Sequence, residues 1–252
     1  MTQQVTHRGA FAALVPQQSA LEIGPFNSPL LHGEHVKYVD VYSTEELHEQ
    51  AGLVGISTHG IPHIDWVAEP TDLSVVDQTF DSVLSSHVIE HQPDFVSHLQ
   101  QVEKLLNDGG RYFALVPDYR YCFDHFMNES RITDILSAHL EKRKWHSPSS
   151  LLESRLYMTH NDPGAHWTSN HGLFTENPIF PGVSRIERLK QAMAEYEALN
   201  GELRNDHAWY FTPESFTNII HDLRDLGLIN FSIETMYPTT MNTFEFWVIL
   251  KK

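Results

Sequence analysis

Four histidines in the second half of the chain have the type and setting to move protons. His160 and His166 bound the string His160-Asn161-Asp162-Pro163-Gly164-Ala165-His166-Trp167, His171 follows, and His207 stands in Asp206-His207-Ala208-Trp209. A neutral imidazole suits general-base work near pH 7, so His166, His160 and His171 are candidates for taking a proton from a hydroxyl. The same residues could instead cap loop backbone, or with nearby Asp residues hold a divalent ion that orients a diol. Their spacing fits no standard zinc pattern, and no metal ligand is expected. Cys122, the single cysteine, belongs to no nucleophile motif.

A second set lies in the first 90 residues. Gly24 ends an apolar run and lets the backbone turn tightly beside a ligand. Asp40 ends another run, where a carboxylate can accept from both hydroxyls of a ribose. Glu69 follows a third run and could accept from an adenine amino group. Ser85, Ser86 and His87 end a fourth and offer backbone groups to an amino-acid moiety.

Such positions matter only if the runs are strands of one sheet. Ala20–Gly24, Val36–Val41, Ile64–Val67, Phe80–Ser86 and Arg111–Val116 read as five strands. Between them, Ser43 or Thr44 opens a helix to about Ala51, and Pro93 to Leu106 carries apolar residues at helical spacing. Asn107-Asp108-Gly109-Gly110 reads as a helix stop and turn. Alternation of this kind predicts a parallel sheet with right-handed crossovers, and ligands of such sheets sit outside the strands' carboxyl ends. Residues 1–18 read as a leading segment with a helix beside the sheet.

From 119 to 206 the rhythm breaks. Helices are predicted over Ile132–Lys142, Ser150–Met158 and Arg185–Leu199, between loops rich in Pro and His. A region this long without strands is expected to serve as a lid and acceptor-binding region. Tyr119, Tyr121, Phe123 and His125, just past the fifth strand, are expected to line the acceptor pocket. The pattern returns with Thr212-Pro213-Glu214 capping a helix to Leu226, then strands at Phe231–Met236 and Phe244–Leu250.

Glu22-Ile23-Gly24, the phrase from Phe80-Asp81 to Glu90-His91, and Leu106 followed by Gly109-Gly110 together resemble class I S-adenosylmethionine (SAM)-dependent methyltransferases, specifically the type 11 methyltransferase-domain subgroup. The resemblance covers roughly residues 18–118. It implies an α/β, Rossmann-like fold: a mostly parallel seven-stranded sheet, helices on both faces, and a helical insertion after strand five, all in one domain over 1–252. It implies SAM as cofactor, with the ribose on Asp40 and the adenine on Glu69. Cofactor contacts are expected from Glu22, Gly24, Pro25, Asn27, Ser28, Asp40, Val41, Glu69, Ser86 and His87. Where the family usually has a second and third glycine, this chain has Phe26 and Ser28. Either Phe26 narrows the pocket or the turn is a variant that still presents its amides.

Composition trims the acceptors. With 17 basic and 33 acidic residues the formal net charge is −16, which disfavours a phosphate backbone as partner. The run Lys142-Arg143-Lys144 reads as a solvated helix end. A small-molecule or saccharide acceptor is expected, methylated on oxygen; methylation of nitrogen or carbon, or SAM binding without catalysis, are the alternatives. No window is apolar for long enough to span a membrane, one cysteine excludes an intrachain disulfide, and the cytoplasm is the expected location. A homodimer is left open.

Overall fold

A computed structural model describes residues 5–199 and 206–252. The first residues of the leading segment, 1–4, and part of the insertion, 200–205, lie outside the described residues. Seven strands form one sheet: β1 Ala20–Ile23, β2 Val36–Asp40, β3 Trp66–Val67, β4 Phe80–Ser86, β5 Leu106–Pro117, β6 Ser232–Tyr237 and β7 Glu245–Lys251. Their order is β3-β2-β1-β4-β5-β7-β6. All pairings are parallel except those of β7 with β5 and β6. Strand order reverses between β1 and β4, and a crevice opens there at the carboxyl ends.

Alternating side chains make two cores. On one face Leu21, Val39, Val83, Tyr112, Val116 and Phe246 pack with helices α3 Phe95–Leu105, α4 Ile132–Leu140 and α8 Pro213–Asp225. On the other, Ala20, Val36, Leu84, Phe113 and Trp247 pack with α1 Arg8–Ala12. Leu84 and Leu99 are fully buried, and each such side chain is worth about 1.5–3 kcal/mol of transfer free energy.

Local chemistry sets the helix ends. Ser43 and Glu46 form a reciprocal capping box at the start of α2 Thr44–Leu53. Thr212 caps α8, with Pro213 in its first turn. Two expected boundaries shift. Asp94 accepts from the Ser97 amide at 2.9 Å, so α3 begins at Phe95 rather than at Pro93. Leu106 already pairs with Phe80, and Asn107–Gly110 forms a bulge inside β5 instead of a turn before it.

The region after β5 holds α4, α5 Pro148–Tyr157, α6 Pro163–Trp167 and α7 Arg185–Ala198. The sequence reading missed α6, a single turn capped by Asp162. Helix α4 packs on α3 and puts Ile135 and Ala138 into the sheet's own core, while α5 pairs with α7. Of the four helices, α4 thus belongs to the sheet layer. No described helix is long and apolar enough to cross a membrane.

Candidate functional site

The turn after β1 starts from a buried acid. Glu22 is 1% exposed, and its carboxylate accepts from the amides of Leu30 (2.9 Å) and Leu31 (2.8 Å). Burial outweighs these bonds and lifts its pKa to about 7. Glu22 therefore ties the far end of the turn back to the strand that launches it.

Gly24 has φ of 66°, and a Cβ there would stand 3.0 Å from a methyl of Val88. Glycine is required on both counts. Phe26 follows with φ of 44°. The left-handed backbone that a glycine would adopt freely is thus kept by a phenylalanine, at a cost of about 1–2 kcal/mol. Its amide is not lost, because it donates to Asp40. Asp40 also accepts from the amides of Val41 and Tyr42, and burial raises its pKa. The altered turn is held by the carboxylate at the end of β2.

Across the crevice, His87 ends β4 with φ of 55°. Its Nε2 lies 2.6 Å from Glu245 Oε2 at the start of β7 and 2.7 Å from the Arg8 guanidinium of α1. Burial opposes charge on this imidazole, but Glu245 and Glu90 prevail and raise its pKa to about 9. Burial likewise works against ionised Glu245, yet His87 and Arg8 hold its pKa at about 2. His87 and Arg8 thus line the cavity as cations already paired with Glu245, and with Glu90 in the case of His87.

These groups surround a cavity of about 340 Å³, lined on the sheet side by Glu22, Gly24, Pro25, Phe26, Asn27, Ser28, Ser86, His87 and Arg8. Pro117, Cys122, Phe123, Asn161, His207 and Phe244 complete the lining. The volume falls in the range of small-molecule sites, about 300–1,000 Å³. Neither Asp40, which accepts from the Phe26 amide, nor Val41, 44% exposed, is part of the lining. Glu69 lies in a different, wider cavity of about 1290 Å³, shared with α3 residues and the Lys142-Arg143-Lys144 run.

The insertion histidines gather without reaching the cavity lining. His166 is buried; its Nδ1 is 3.1 Å from Nδ1 of His171 and its Nε2 is 3.1 Å from the carbonyl of His160. His160 stacks on His166, and His125 stacks on His171 with centroids 3.8 Å apart. Burial lowers the pKa of His166 to about 4, and that of His171 falls through burial and the neighbouring imidazoles of His125 and His160. Both stay neutral at pH 7. Among the described residues, Nε2 of His171 carries no hydrogen bond, whereas both ring nitrogens of His160 and His166 are engaged.

Of the aromatic residues expected at an acceptor pocket, Phe123 reaches the cavity. Tyr121 instead stacks on Trp167 at 4.1 Å, and His125 joins the imidazole column. The Cys122 thiol lines the cavity, but burial pushes its pKa far up and leaves it unreactive.

Residues 28–114 match a family model described as a methyltransferase domain. That match supports a SAM-dependent methyltransferase enzyme, and a methyltransferase domain implies SAM as its cofactor. No curated protein matches it in sequence. Similar solved structures include a SAM-dependent methyltransferase from Mesorhizobium loti (13% identity, 96% of each chain, TM-score 0.47). A SAM-dependent methyltransferase from Methanosarcina mazei is 14% identical over 95% of each chain, with a TM-score of 0.46. The CcbJ methyltransferase from Streptomyces caelestis is 18% identical, with a TM-score of 0.32; the match covers 45% of this chain and 52% of that one.

The residues lining the cavity fit this cofactor: the turn at Gly24–Ser28 offers a close backbone approach, and the donors of Arg8 and His87, held by Glu245, stand beside it. Arg8 was invisible to sequence reasoning. It is an isolated cation near the N-terminus, and nothing local to it signals that β7 will bring Glu245 alongside.

Proposed function

We propose that the protein transfers the SAM methyl group to a hydroxyl oxygen of a small molecule, saccharides included. The reading is supported by one observation above all. The turn after β1 and two polar residues of the insertion and its exit, Asn161 and His207, line one cavity. Methyl transfer is an in-line displacement: the acceptor oxygen attacks the methyl carbon, the carbon–sulfur bond breaks, and S-adenosylhomocysteine leaves. The protein's main task is alignment. The hydroxyl proton needs a base. The insertion, residues 119–206, serves in this proposal as the lid that carries it. None of His160, His166 and His171 lines the cavity, so this role requires an acceptor that extends to them, and the free Nε2 and partly exposed ring make His171 the member able to take its proton.

Cofactor contacts in this proposal come from Gly24, Pro25, Asn27, Ser28, Ser86 and His87. Glu22 acts by anchoring the turn, Asp40 and its neighbour Val41 receive the ribose, and Glu69 stands toward the adenine side. A screen of hydroxylated small molecules and sugars with methyl-labelled SAM tests it. An O-methylated product is expected, formed at least about 100-fold more slowly by His171→Gln with SAM affinity unchanged. An N- or C-methylated product made equally fast by His171→Gln would overturn the oxygen assignment. Binding of SAM with no homocysteine-containing product from any acceptor would point to a non-catalytic role.

A further inference from the structure

The chain after β4 and the chain leaving the insertion meet at Glu90. Its carbonyl accepts from the amides of Ala208 (2.7 Å) and Trp209 (3.2 Å). Its side chain is fully buried at 0% exposure, and neither carboxylate oxygen has a hydrogen-bond partner among the described residues. A buried carboxylate without well-placed donors is costly unless cations compensate it, and here the His87 imidazole does so from one side only. Oε1 lies 3.4 Å from Nδ1 of His87, 3.8 Å from Nε2 of His91 and 3.8 Å from Nε2 of His207.

His91 and His207 are oriented as ligands are. Nδ1 of His91 is 3.1 Å from the carbonyl of Asp206, and Nδ1 of His207 is 2.6 Å from Oδ2 of Asp124. Both partners only accept, so Nδ1 carries the proton in each ring and Nε2 is the position for a lone pair. An acceptor fixing the remote nitrogen is the usual outer shell of a metal-bound imidazole. The two rings cross at 82° with centroids 4.6 Å apart, and the Nε2 atom of each lies 3.8 Å from the same oxygen, Glu90 Oε1. One ligand atom each from Glu90, His91 and His207 lie within 4.8 Å of one another. Ligands at about 2.0–2.1 Å from a tetrahedral ion are about 3.3 Å apart, so side-chain shifts of about 1 Å close the set.

The other histidine group makes an instructive contrast. His125, His166 and His171 are equally close. Their rings, however, lie parallel, at 7° for His125 and His171 and 24° for His166 and His171. Nδ1 of His125 is bound to the Arg120 carbonyl, and His166 has both nitrogens occupied. Parallel rings direct their in-plane lone pairs past one another rather than to a common centre.

We propose that Glu90, His91 and His207 bind one divalent transition-metal ion of the zinc type. Two imidazoles and a carboxylate suit such ions and leave a further position for water. The ion completes the compensation of Glu90 that His87 begins and locks the exit of the insertion to the end of β4, fixing the wall that His207 gives the cavity. The proposal rests on these contacts and not on the choice of acceptor.

The test uses the full chain, stripped with a chelator and then titrated with Zn²⁺ by calorimetry and with Co²⁺ by visible and X-ray absorption. One ion per chain with Kd below about 1 µM is expected, with two imidazoles in the coordination shell. His91→Gln and His207→Gln should each weaken it at least about 100-fold, while His125→Gln leaves it unchanged. Absence of binding tighter than about 100 µM would overturn the site, as would three imidazoles on the ion or indifference to His207→Gln. Should the variants fail to fold, stoichiometry and imidazole count on the wild-type chain decide the matter alone.

Discussion

The two walls of the cavity are built by different means. On the sheet side, carboxylates grip nearby main chain: Glu22 holds the amides of Leu30 and Leu31, and Asp40 holds those of Phe26, Val41 and Tyr42. On the insertion side, long side chains bridge remote segments. Arg155 pairs with Glu195 at 2.9 Å and with Asp206 at 3.0 Å, and the fully buried Arg188 donates to the carbonyls of Leu156 and Thr175. The first wall is a property of strand ends and so is fixed once the sheet forms. The second is a set of charge pairs that can be lost piecemeal. Such a division suits a fixed cofactor site facing a wall specialised for its acceptor.

The largest blow to this contrast should come from Arg155→Met. It removes the cation that Glu195 and Asp206 share, and a loss of about 1.5–3 kcal/mol is expected for the hydrogen bonds between charged groups. The loss should be confined to the insertion. Limited proteolysis should cut between 140 and 200 first, while SAM affinity moves by less than about threefold, about 0.65 kcal/mol. Equal loss of SAM binding would show the two walls to be one unit. Gly24→Ala attacks the other wall. The methyl meets Val88 in a left-handed backbone, which should cost about 1–2 kcal/mol, read as weaker SAM binding with an unchanged proteolysis pattern.

A third test, read as a pH slope, concerns Glu22. Its native pKa of about 7 lies above its ordinary 4.5. Between those values the folded chain binds the proton and the unfolded chain does not, so stability falls as pH rises from about 4.5 to about 7. Glu22→Gln removes that slope. Chemical denaturation of both proteins across this range checks it, and parallel curves would contradict the assignment.

The same division governs what the sequence disclosed. The strands β1, β2 and β4, the capping box at Ser43, and Gly24 were legible because apolar period and turn chemistry are local signals. The backbone at Phe26 was not, since a phenylalanine at positive φ is imposed by Asp40 from another strand. Arg8, Glu245 and His207 were likewise missed as neighbours of the cavity, because only tertiary packing brings α1, β7 and the insertion's exit together. The insertion histidines were rightly noticed as a group. Periodicity could not say that they would stack on one another outside the lining while His207 joined it.

The most direct test is calorimetric titration of SAM and S-adenosylhomocysteine into the wild-type chain and Asp40→Ala. Saturable binding to the wild type is expected, weakened at least about tenfold, or about 1.4 kcal/mol, in Asp40→Ala. A wild-type chain that takes up neither ligand at millimolar concentration, or a variant that binds as well as the wild type, would contradict a cofactor site at the ends of β1, β2 and β4.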